Sequence, residues 1–163
     1  MRSRFLPEGR LLHTPENEAA CASRDGLRRA MEEETVLEGV AQLCDGAHNL
    51  LVSVGPFTGF LPREEAALGI AEGTTREIAI LSRVGKPVCF QITALEESEG
   101  VLRPRLSRRR AQQAALDAML AGLHPGCILP AVVTHLESFG AFVDIGCGVP
   151  SLIGIENISV SRI

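Results

Sequence analysis

Residues 126–159 read GCILPAVVTHLESFGAFVDIGCGVPSLIGIENIS. At the centre of this stretch Ala141, Val143 and Ile145 alternate with Phe142 and Asp144. Successive side chains of a strand point to opposite faces, so if the first three face a core, Phe142 and Asp144 face outward. A ring on an outward polar face has two readings. It packs beneath a loop, or it offers a nucleobase a stacking platform worth on the order of 1–3 kcal/mol per base, whatever the base. Phe139 falls beside Phe142 if Gly140 permits a bulge. Gly146-Cys147-Gly148 reads as a turn that leaves Cys147 exposed.

The same texture occurs earlier in the chain. Leu37, Gly39 and Val40 align with Leu129, Ala131 and Val132 at an offset of 92. Val52, Val54 and Gly55 align with Val143, Ile145 and Gly146 at an offset of 91, and Gly59, Phe60 and Leu61 meet Ser151, Leu152 and Ile153 at 92 again. One residue is lost in the first hairpin and regained in the second, where turns tolerate it. In the first copy the pattern gives strands at 36–44, 50–54, 58–61, 84–95 and 101–106, with Pro62 stopping the third and a short helix over 63–69 following it. Five short strands with a helix between the third and fourth mark a small closed barrel of the OB type. The fourth and fifth strands of the second copy would fall at about 177–200 if the period holds. The second barrel is therefore expected to be incomplete in these 163 residues, either as a fragment of a longer protein or completed by other contacts.

Ahead of the first copy, Thr14-Pro15-Glu16 supplies an N-cap, a proline and an acid for the first turn of a helix. Asp25-Gly26 reads as a break before a second helix over 27–34, in which Arg28 and Arg29 precede Glu32 and Glu33 by four positions. Ser107 caps a third helix over 108–121, with Gly122 at its C′ position and Ala111, Ala115 and Met119 on one face. The organisation expected is mainly β: a helical extension over 1–34, an OB-fold barrel over 35–108, a linker helix over 109–123 and a partial second OB-fold repeat over 124–163.

Phe139-Gly140-Ala141-Phe142-Val143-Asp144, with the glycine turn and the Ser151-Leu152-Ile153-Gly154-Ile155 segment after it, resembles the RNA-binding repeat of the bacterial ribosomal protein S-one family. The first copy resembles it more loosely, and the likeness spans about 35–108 and 124–163. The resemblance implies OB-fold barrels that bind single-stranded RNA (mRNA or rRNA), a role in translation and an association with the small ribosomal subunit, and an odd cysteine count without a signal peptide points to a reducing cytoplasm. Gly154 stands where the family has His, and Ser151 where it has Gly. In the first copy His48 takes the place of Phe139 and Leu51 that of Phe142. His can stack and Leu cannot, so the first barrel is expected to bind RNA more weakly, and a protein-docking role fits it as well. The family's repeats also occur as non-catalytic appendages of RNA-processing enzymes.

Charge is distributed to match. Residues 1–100 carry ten basic and sixteen acidic side chains, and residues 101–163 carry six and four. Arg103 and Arg105 project to one face of a strand, and Arg108, Arg109 and Arg110 follow at the helix start. Two readings stand for them: phosphate contact, or a solvated face. The RNA-binding candidates are thus Phe139, Phe142 and His48 for stacking and Lys86, Arg103, Arg105 and Arg108 for phosphate, with Arg63 and Arg83 weaker. No nucleophile–base, metal-ligand or phosphate-loop spacing appears, so no enzyme activity, catalytic residue, metal or cofactor is expected. No apolar run of about 18 residues spans a bilayer. The five cysteines are all at least 20 positions apart, with Cys44 and Cys89 inside apolar runs that suit small buried hydrophobes.

Overall fold

The structure, a computed structural model, describes residues 5–159. The protein is mainly β, with a five-stranded barrel-like sheet and a separate three-stranded sheet. The first comprises β1 (Leu37–Cys44), β2 (Leu50–Val54), β3 (Phe57–Leu61), β4 (Pro87–Ser98) and β5 (Val101–Ser107). Their order is β1-β2-β3-β5-β4. β4 returns to β1 in antiparallel register through Leu37↔Phe90 and Glu38↔Cys89, and β3 meets β5 in parallel at Phe60↔Arg105. Strand alternation fills the interior: Leu50, Val52 and Val54 from β2, Leu61 from β3, Val88, Phe90 and Ile92 from β4, and Leu102 and Leu106 from β5 are all buried. Each such large apolar side chain contributes roughly 1.5–3 kcal/mol of transfer free energy.

The helices differ from expectation in their ends. α1 (Pro15–Cys21) starts on Thr14, whose hydroxyl accepts from the Asn17 amide. α2 (Arg24–Glu32) begins earlier than the Asp25-Gly26 break suggested, because the Ser23 hydroxyl caps it by accepting from the Gly26 amide at 3.1 Å. Gly26 lies inside the first turn, where a Cβ would meet the Ala20 carbonyl at 2.6 Å; the glycine serves the tight α1–α2 corner. The helix expected over 63–69 shortens to a 3-10 turn, Arg63–Glu65. The chain reverses at Gly69 (φ +89°), whose carbonyl accepts from the amides of both Thr74 and Thr75, and a one-turn α3 (Ile78–Leu81) follows before β4. α4 (Arg108–Gly122) is capped by Ser107, which accepts from the Arg110 amide, and runs through Gly122 to a cap at Leu123.

The second sheet, β6 (Val132–Glu137), β7 (Gly140–Asp144) and β8 (Pro150–Gly154), is ordered β6-β7-β8. It repeats the first three strands down to their irregularity. β1 is bulged between Ala41↔Val52 and Leu43↔Leu51, and β6 is bulged between Val133↔Val143 and His135↔Phe142. A 3-10 turn, Ile155–Asn157, ends the unit 92 residues after Arg63–Glu65. Among the described residues β6 and β8 each pair on one side only. The inward positions show the consequence: Ala41 and Leu61 are fully buried, while their equivalents Val133 and Ile153 are 58% and 38% exposed.

α4 and the N-terminal strap over residues 5–14 join the two units. Cys89, Ala111, Ala115, Cys147 and Val149 form a buried cluster with Phe5, Val36 and Met119 around it. Cys147 is not exposed as its glycine-flanked turn suggested. The strap covers it, the Leu6 carbonyl accepting from its amide at 2.9 Å, and only 1% of its surface remains accessible. The Cys89 thiol donates to the Cys147 carbonyl across the same junction at 3.4 Å.

Candidate nucleic-acid interface

On the second sheet the outward side chains of β6, β7 and β8 line up across the strands as His135, Phe142 and Leu152, through the pairs His135↔Phe142 and Phe142↔Leu152. The His135 ring lies 6.3 Å from that of Phe142, at an interplanar angle of 29°. Phe139 stands edge-on to Phe142 at 6.1 Å. Phe139, His135 and Leu152 are exposed and Phe142 is half-buried, so the rings form an open platform rather than a packed core. Phe139 reaches this place without a bulge at Gly140; the bulge sits opposite, in β6. Gly140 instead allows close strand approach, since a Cβ there would meet the Ile153 carbonyl at 2.2 Å.

Asp144 does not share the outward face of Phe142, as alternation had suggested. It is 5% exposed at the end of β7, and its carboxylate accepts from the amides of Glu8, Gly146 and Gly148. The strand turns there, and three backbone donors draw the side chain inward.

The first barrel carries a row in the corresponding register. Leu43, Leu51, Phe60 and Arg105 are successive cross-strand partners from β1 through β2 and β3 to β5. The Arg105 guanidinium lies over the Phe60 ring, 5.5 Å from its centre, a cation–π contact. The sequence reading missed Phe60. Its signal was the alternation of Gly59, Phe60 and Leu61, in which the two flanking residues are buried and the ring is left half-buried on the outer face. His48, expected as a stacking ring, sits at φ +65° in the β1–β2 turn. Its Nδ1 contacts Glu77, which Arg63 also holds. The hydrogen bond and charge of Arg63 keep the Glu77 carboxyl below the usual carboxylate range.

The cationic candidates separate into two groups. Arg103 is exposed two positions before Arg105 on the same face of β5, with Glu96 opposite it in register and 3.8 Å from Arg105. Lys86 is exposed in the turn before β4, and Arg110 is exposed at the start of α4. Arg109 pairs with Glu72 at 3.1 Å. Arg108, expected at the RNA surface, is interior instead, 6% exposed. Its Nε and Nη2 donate to the Glu8 carboxylate at 2.8 and 2.5 Å, and Nη1 donates to the Ala66 carbonyl. Burial alone would raise the Glu8 pKa, but the charge and hydrogen bonds of Arg108, the charge of Arg83 and the Cys89 amide outweigh it and bring the carboxyl down to about 2. Arg83 joins this cluster at 3.6 Å from Glu8. Both arginines are taken up by the junction, and Arg103 and Arg105 on β5 remain on the outer face.

No model of a known protein family matches the chain, and no curated protein does. Among solved structures it is similar to the solution structure of GSP13 from Bacillus subtilis, with 19% identity and a TM-score of 0.35 over 60% of this chain and 64% of that one. The match thus spans just under two-thirds of that protein's length. Among the described residues no helix is long and apolar enough to cross a membrane.

Proposed function

We propose that this chain is a single-stranded RNA-binding protein that uses the outer faces of two related β units. The observation that carries the reading is the exposed ring platform of Phe139, Phe142 and His135 on β6 and β7. Exposed rings cost hydration without contributing to a core, and nucleobases are the common ligand that rewards a flat, open apolar surface. The second face of an OB-type barrel, across its second and third strands, is where such barrels take oligonucleotides. The sequence likeness of residues 139–144 to the ribosomal protein S-one repeat supports the same reading. In it, the bases stack on the rings, and Arg103 and Arg105 on β5 contact the RNA, Arg103 through phosphate. The task is binding rather than catalysis, carried out in the cytoplasm in translation and with the small ribosomal subunit as the nearest partner.

A second reading is favoured by a different observation. Val133, Leu136 and Ile153, at inward positions of the open sheet, are exposed. In that reading the chain docks on a protein partner and RNA contact is incidental. Titration of the full chain with a labelled oligoribonucleotide, read by fluorescence anisotropy, separates the two. Saturable, salt-sensitive binding that weakens in Phe142→Ala supports RNA recognition, and no binding at any salt concentration refutes it.

A further inference from the structure

The two units do not place their rings on the same strand, and that difference points to a second base site. In the row His135–Phe142–Leu152 the rings stand on β6 and β7. In the corresponding row Leu43–Leu51–Phe60–Arg105 the first two positions are leucines and the ring stands on β3. We infer that the first barrel binds a nucleobase of single-stranded RNA on Phe60, with Arg105 as the partner that closes over it. The inference rests on the RNA-binding reading above and extends it to a surface for which the sequence offered only His48 as a stacking ring.

Phe60 is half-buried, so its ring is held from beneath, and on the outer side it is covered by Arg105 alone among the described ring and cation contacts. Leu51 beside it is half-buried and Leu43 beyond is 54% exposed. A base laid on Phe60 thus covers apolar surface on the ring and its neighbours that water otherwise contacts. Arg105 already lies over the ring at 5.5 Å. A guanidinium is planar and stacks on bases as readily as on aromatic rings, so it can move from ring to base without leaving the site. Arg103, exposed on the same face of β5, supplies positive charge for the flanking phosphate. Glu96 is the one acidic group that the described contacts place beside these two arginines; it lies 3.8 Å from Arg105 and opposite Arg103. A bound phosphate competes with it, so Glu96→Gln is expected to strengthen binding.

The test uses the full chain, a short oligouridylate bearing a photoreactive 4-thiouridine, and four proteins: wild type, Phe60→Leu, Phe142→Ala and the double variant. Leucine keeps the apolar volume over the barrel and removes only the ring, so circular dichroism of Phe60→Leu should match wild type. Phe60→Leu is expected to weaken binding on the order of tenfold in either background. Crosslinks to the peptide containing β3 are expected to persist in Phe142→Ala and to fade in Phe60→Leu. If wild type binds and Phe142→Ala weakens it while Phe60→Leu changes neither affinity nor crosslinks, the second site is overturned and the first stands. If wild type binds no oligouridylate, the reading beneath both falls. Loss of a captured protein partner in Phe60→Leu, with RNA binding unchanged, assigns the surface to protein and also overturns the inference.

Discussion

Glu8 and Arg108, one hundred residues apart, are joined by two hydrogen bonds of 2.8 and 2.5 Å in the interior of the junction between the barrel and the second sheet. The same Glu8 carboxylate accepts from the Cys89 amide on β4, and the Glu8 amide donates to Asp144 at the end of β7. One residue of the N-terminal strap thus bonds to β4, α4 and the second unit at once, beside the buried cluster of Cys89, Ala111, Ala115, Cys147 and Val149.

Breaking this pair by removing one partner leaves a buried, unpaired charge. Arg108→Met is expected to cost about 3–5 kcal/mol in urea-induced unfolding, and Glu8→Leu with Arg108→Met together should cost clearly less. A double variant as unstable as Arg108→Met alone would show that the loss is one of packing.

Acid should act through the same residue. The folded pKa of Glu8 is held at about 2, below its ordinary value near 4.5, so its ionised form favours the folded state. That contribution is complete above about pH 4.5 and is lost as the pH falls towards about 2. Thermal melts across this window should fall steeply in wild type and more gently in Glu8→Gln. Parallel curves would mean that other carboxylates control the acid limb.

Gly148 has φ +76°, and a Cβ on it would come within 2.4 Å of Arg108 Nη2 and 2.5 Å of Glu8 Oε1. Backbone strain at a non-glycine residue there costs roughly 1–3 kcal/mol, and displacement of the ion pair adds to it. Gly148→Ala should lower the melting temperature more than an alanine at the φ +77° Gly73, which has open space around it.

Thiol reactivity should follow burial. Cys127 is exposed, whereas Cys21, Cys89 and Cys147 are buried. Burial pushes the Cys21 thiol up to about 11 and drives that of Cys89 well above its usual value, so both stay protonated and unreactive at neutral pH. Iodoacetamide followed by peptide mass spectrometry should label Cys127 first and the buried three only after denaturation. Early labelling of Cys147 would mean that the strap opens readily.

The repeat was legible because offsets of 92 and 91 preserve strand alternation, and the shared bulge of β1 and β6 answers to the same spacing. Phe139 and Phe142 were legible because an outward ring breaks the polar pattern of its face. Arg108 was not, because its partner lies one hundred positions away and nothing local distinguishes it from Arg109 and Arg110. Asp144 and Cys147 followed the wrong rule for one reason: local alternation and turn chemistry describe a strand end facing solvent, and a distant segment, residues 6–8, covers this one. Phe60 escaped because the first copy carries Leu51 at the position of Phe142 and its ring stands one strand over, on β3.

The central claim is tested most directly by titrating the full chain into a labelled oligouridylate at several salt concentrations. The account expects saturable binding that weakens as salt rises, with a logarithmic slope of about 0.7 for each phosphate contacted and a smaller slope in Arg103→Gln. It also expects Phe142→Ala to lose about 1–3 kcal/mol of affinity at every salt concentration. Saturable binding of equal strength in wild type and Phe142→Ala, or no binding by wild type, would contradict it.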